Sequence, residues 1–108
     1  MTALTVPDVL RRAEQVLVER GWCRTAEQEA DDKRLTVTEA LGFVIHGSET
    51  ELLHGTELDL YGRTRRFLLE HVGRSGHGWL TEWNDEQRSE AEVRAVLLAA
   101  AQRAEAGT

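Results

Sequence analysis

Cysteine is almost missing from this chain. Cys23 is the only one in 108 residues, so no intramolecular disulfide can form and no CxxC knuckle exists to hold zinc. A reducing compartment suits that usage. No apolar run approaches the roughly 18 residues that a membrane span needs. The opening stretch "MTALTVPDVLRRAEQ" has no basic region followed by an apolar one, so it does not read as a signal peptide. A soluble, cytoplasmic protein with no membrane contact is expected. Basic residues are outnumbered: 13 Lys and Arg stand against 19 Asp and Glu, giving a net charge of −6. A domain that rides on phosphates carries a basic face, so nucleic acid is not an expected partner. The one basic cluster, "GRTRRF" with Arg63, Arg65 and Arg66, reads as a solvated helix face, because no aromatic or glycine-rich element accompanies it.

Several motifs are missing as well. There is no HExxH pair and no GxxxxGK[ST] loop. The acidic stretch 22–35, "WCRTAEQEADDKRL", lacks the ligand alternation and the glycine of a calcium loop. It reads as a solvated loop, and no metal or other cofactor is expected. No run shows clean alternation with β-branched enrichment, so strands find little support beyond short extended pieces near 33–36 or 79–83.

What remains is helical periodicity in a chain that is 41% hydrophobic and 30% charged, an ordinary globular balance. A first helix spans about 6–20, capped by Thr5, with Pro7 in its first turn and Gly21 as its stop. Val6, Leu10, Ala13, Val16 and Leu17 form its stripe. A second covers about 37–46 behind the capping box Thr36–Glu39, with Gly47 as stop signal. A third covers about 56–72, with Thr56 as cap. Gly62 inside it suggests a close approach by another helix or a kink. A fourth covers about 90–105 behind a second box, Ser89–Glu92. The expected fold is all-α: residues 1–108 form a compact single-domain bundle of about four helices, with 1–4 and 106–108 as frayed ends.

The segments "LRRAEQVLVERGW" (10–22), "LTVTEALGFVIHG" (35–47) and above all "WNDEQRSEAEVRAVLLAAA" (83–101) carry a resemblance. Together they resemble an uncharacterised family of small actinobacterial proteins, a domain of unknown function. Its pattern is a first helix ending in Gly-Trp, a polar loop, an Ala-Leu helix, then Trp-Asn-Asp, an arginine and a Glu-Val helix. The loop "EADDKRLTV" departs from that pattern in lacking a glycine and a cysteine. The resemblance implies a helical fold and no particular activity.

Function is approached through "HGWLTEWNDEQRSEAEV", which holds two of the three tryptophans. Trp79 and Trp83 share a face whether the segment is helical or extended. One reading has them covering the core ahead of the last helix, with Asn84 and Asp85 making a turn. The other makes Trp79, Trp83, Asn84, Asp85 and Arg88 a partner-binding surface of the residue types found at interface hot spots. On that second reading the protein is a helical accessory or regulatory factor that binds another protein. A homodimer through the alanine-rich last helix is a further expectation. The alternative is a small enzyme or small-molecule binder with a pocket between helices, using His46, His54 and Asp85 as acid-base groups. Cys23 reads as a half-buried inert thiol.

Overall fold

Short side chains at three positions decide where helices begin. The computed structural model describes residues 4–47, 55–74 and 80–107. Helix α1 is Val6–Arg20. The Thr5 hydroxyl accepts the Asp8 N–H (3.4 Å), and the Asp8 carboxylate accepts the Thr5 N–H (3.1 Å). Two N–H groups that the first turn leaves orphaned are thereby satisfied. Helix α2, Val37–His46, begins in the same way. Thr36 accepts from the Glu39 N–H at 3.3 Å, and Glu39 accepts from the Thr36 N–H at 3.0 Å. Gly47 closes it in the left-handed conformation, φ +85°.

Helix α3 is Gly55–His71, so Thr56 lies within the first turn rather than ahead of it. At its end Gly73, φ +81°, lets the Arg74 N–H reach the Leu69 carbonyl (2.8 Å) and its own N–H reach that of Glu70 (3.1 Å). This pair of bonds is a Schellman cap. No neighbouring group lies within 4 Å of where a Gly62 side chain would begin. The expected close approach at Gly62 is therefore absent.

The bundle holds five α-helices among the described residues, against an expectation of about four. The additional one is α4, Leu80–Glu86. Leu80, Trp83 and Asn84 sit at i, i+3 and i+4 and are all buried, which gives this seven-residue element one inward face. Asn84 and Asp85, expected to form a turn, are part of that helix. Helix α5 is Glu90–Ala106. Ser89 accepts the Glu92 N–H, but the Glu92 carboxylate bonds the N–H of Arg88 rather than that of Ser89.

Helix α1 lies at the centre, packed on α5 and α2. The pairs Arg11–Glu105 and Glu14–Arg94 run in opposite chain directions, so α1 and α5 are antiparallel. Helix α3 packs on α1, α2 and α5, and α4 packs on α2. Leu10, Leu17, Leu41, Leu68, Leu80 and Leu97 are essentially inaccessible. Each such side chain contributes about 1.5–3 kcal/mol by leaving water. Among the described residues no strand forms; a lone parallel bridge joins Trp22 to Leu35. No described helix is long and apolar enough to cross a membrane.

Candidate functional site

The polar segment between α1 and α2 is tied down along much of its length. Gly21 ends α1 at φ +89°, ψ 159°, a region essentially restricted to glycine. A side chain there would also begin 3.1 Å from Cγ of Arg34. Gly21 accepts from the Leu35 N–H (3.0 Å), and the Cys23 N–H donates to Leu35 O (3.2 Å), so the two ends of the segment run side by side. Between them Arg34 folds onto Asp32, donating to it from the backbone, Nε and Nη2. These bonds hold the Asp32 carboxyl well below the usual carboxylate range.

Asn84 is the centre of the attachment. Its side chain is fully buried. Oδ1 accepts from the Trp22 indole N–H (2.7 Å) and from the Val37 N–H at the start of α2 (2.9 Å). Nδ2 donates to the Cys23 carbonyl (3.2 Å) and to Asp85 Oδ1 (3.0 Å). Two N–H donors on one atom fix which end of the amide is oxygen. Asp85 Oδ1 also accepts the N–H and hydroxyl of Thr25 (2.8 and 3.0 Å). Burial raises the Asp85 pKa, but bonds from the Thr25 N–H, the Asn84 amide and the Thr25 hydroxyl, with the charge of Arg24, outweigh it, and the net shift is downward. Arg24 lies over the Trp22 ring and donates to the Gln87 carbonyl, and Glu90 accepts the Trp22 N–H.

This arrangement changes the reading of the expected surface. Trp83 is 5% exposed and belongs to the core, and Asn84 is enclosed, so neither presents its side chain to a partner. Asp85 faces Thr25, not Arg88. Arg88 is exposed, and its backbone N–H goes to Glu92. Trp79 lies outside the described residues, as does His54. His46 pairs with Glu57 at 2.7 Å, bridging α2 and α3. Because α2 starts at Asn84 and His46 is its last residue, about 14 Å of helix separates His46 from the Asp85 corner. The acid-base grouping of His46 with Asp85 therefore does not assemble. Cys23, expected to be half-buried, is fully enclosed, and burial pushes its thiol pKa up, the opposite of what a nucleophile requires.

Sequence reasoning passed over one feature. The arginines of "GRTRRF" do not all face solvent in one sheet: Arg63 and Arg65 line separate clefts. The Arg65 cleft, about 340 Å³, lies between α2, α3 and α4 with Thr38, Tyr61 and Thr81 around it. Burial raises the Tyr61 pKa against the opposing influence of Arg65 and Thr38. The alanine-rich face expected on the last helix lies on α5, where Ala91, Ala95, Leu98, Ala99, Gln102 and Ala106 are all exposed. At 100° per residue they fall within one face about 100° wide.

Comparison with known proteins adds a family. The model of one family, described as a family of unknown function (DUF6197), matches residues 1–103, and the chain belongs to it. No curated protein and no solved structure matches.

Proposed function

Within that family of unknown function, we propose that this chain is an accessory protein that acts through helix-to-helix docking of α5, with a second copy of itself as the occupant. The supporting observation is the uncharged, exposed face of α5 and the pattern of charge along its borders. Glu92 and Arg103 border the face on one side, Arg94 and Glu105 on the other. In each pair the sign reverses about the middle of the helix, near Leu98. An antiparallel two-fold partner would set Glu92 opposite the partner's Arg103, while Arg94 and Glu105 stay paired with Glu14 and Arg11 of α1. The small side chains allow a close approach, while Leu98, 37% exposed, supplies the apolar contact. An interface made largely of alanine is small, so association should be weak and dependent on concentration.

Sedimentation equilibrium over a range of concentrations tests this. The wild type should show a monomer–dimer equilibrium. Leu98→Glu should be folded by circular dichroism and monomeric throughout, and Glu92→Arg should weaken association. A wild type that stays monomeric at its highest soluble concentration would remove the reading.

A second reading, of a small-molecule binder, draws support from the cleft between α2, α3 and α4. Three hydroxyls, from Thr38, Tyr61 and Thr81, stand around it with the Arg65 guanidinium. Neutral donors beside a guanidinium suit an oxyanion. Inorganic phosphate should then raise the melting temperature more than sodium chloride of equal ionic strength. Arg65→Gln should abolish that difference.

A further inference from the structure

A second cleft, of about 460 Å³, lies where the start of α1 meets the middle of α3 and the end of α5. Its size falls in the range of small-molecule pockets, roughly 300–1,000 Å³. Leu4, Val6, Pro7 and Phe67 give it an apolar wall, and Arg63 and Arg103 stand beside that wall. Among the described residues no acidic one lines it, although the chain as a whole carries a charge of −6. A lone pair of cations in an acidic protein makes this a local positive site.

The nearby carboxylates are occupied elsewhere. Asp8 accepts the Thr5 N–H, and Glu105 pairs with Arg11 at 2.7 Å. Asp59 holds Arg63 at 3.0 Å, but both side chains are more than half exposed, and such an i,i+4 pair contributes little and is readily exchanged. Among the described residues no carboxylate pairs with Arg103. Its guanidinium lies 5.7 Å from the centroid of the Phe67 ring. Stacking on that ring leaves the guanidinium edge, with its fork of N–H donors, available to a planar anion. The apolar wall and the cation are thus presented together.

We infer that this cleft binds an amphipathic carboxylate, a small molecule with an aliphatic or aromatic body and one anionic head. The body lies on Phe67, Val6, Pro7 and Leu4, and the carboxylate takes a forked bond from Arg103 with Arg63 adding charge. The cleft shares Arg103 with the border of the α5 docking face, but Leu98 projects from a different side of α5 than Ala104, which lines the cleft, so Leu98→Glu removes the docking contact and leaves the cleft intact.

Titration calorimetry with decanoate, below its micelle concentration, is the test. Decanol serves as neutral control, decyltrimethylammonium as cationic control and acetate as head group alone. Decanoate should bind one per chain and tighter than all three controls. Arg103→Gln should weaken it by at least about tenfold, the scale of a lost charged hydrogen bond. Arg65→Gln, on the other side of α3, and Leu98→Glu should leave it unchanged. Equal binding of decanol and decanoate would overturn the inference. So would an unchanged affinity in a folded Arg103→Gln variant, or no decanoate binding by the folded wild type.

Discussion

Asn84 holds four groups on a single side-chain amide. Replacing it with alanine strands the Trp22 indole N–H and the Val37 N–H in the interior, where an unmet donor costs about 1–3 kcal/mol. Asn84→Ala should therefore lower the unfolding free energy by about 2–4 kcal/mol in urea titrations. Asn84→Asp keeps an acceptor but turns the donor facing the Cys23 carbonyl into a second acceptor, and it should be no better tolerated. The neighbouring Asp85 gives a pH dependence. Its folded pKa lies below its unfolded value of about 3.9. Its stabilising effect is then complete above that value and disappears as the pH falls through the lower folded one. Asp85→Asn should flatten the loss of stability between about pH 5 and about pH 2, read as urea midpoints. None of this was legible in sequence. "WND" marked the place, but three of the four partners of Asn84 lie 47 to 62 residues away, and a side chain's distant partners leave no local trace.

Helices were legible in proportion to how local their signals are. The starts of α1, α2 and α5 follow from Thr5, Thr36 and Ser89, each bonding an N–H three residues on. The ends of α1 and α2 follow from Gly21 and Gly47, where positive φ excludes most side chains. Helix α4 escaped because it is too short for periodicity and its buried face includes an asparagine, which sequence reasoning assigns to turns. The glycines can be told apart by experiment. Gly21→Ala meets both an unfavourable backbone region and Arg34, and it should destabilise by about 1–3 kcal/mol. Gly62→Ala has open space and a helical backbone. It should stabilise by about 0.5–1 kcal/mol, seen as a higher melting temperature.

At the scale of the whole molecule, α1 with α2 and α5 forms a leucine-filled core, and the segment 21–36 is fastened to it through polar bonds at the α4–α5 corner. Polar attachments of this kind can open without the core. Hydrogen exchange on Asn84→Ala should show faster exchange of the Cys23, Thr25 and Leu35 amides, while those of Leu17 and Leu97 keep most of their protection. Uniform loss of protection would mean that the segment and the core unfold as one unit. The all-helical class was legible because capped, periodic segments dominate the chain. How those segments close on one another was not, since it depends on Asn84, Glu90 and Arg24 meeting groups far along the sequence.

The enclosed thiol of Cys23 turns that attachment into something that can be timed. Its side chain is fully covered, and its carbonyl is held by the Asn84 amide. A thiol reagent can reach the sulfur only when the segment lifts away, and no second cysteine competes for it. The rate of labelling at neutral pH is therefore the open fraction multiplied by the reactivity of a free thiol. The protein carries a built-in clock for its own opening, which any ligand or partner that grips the segment would slow.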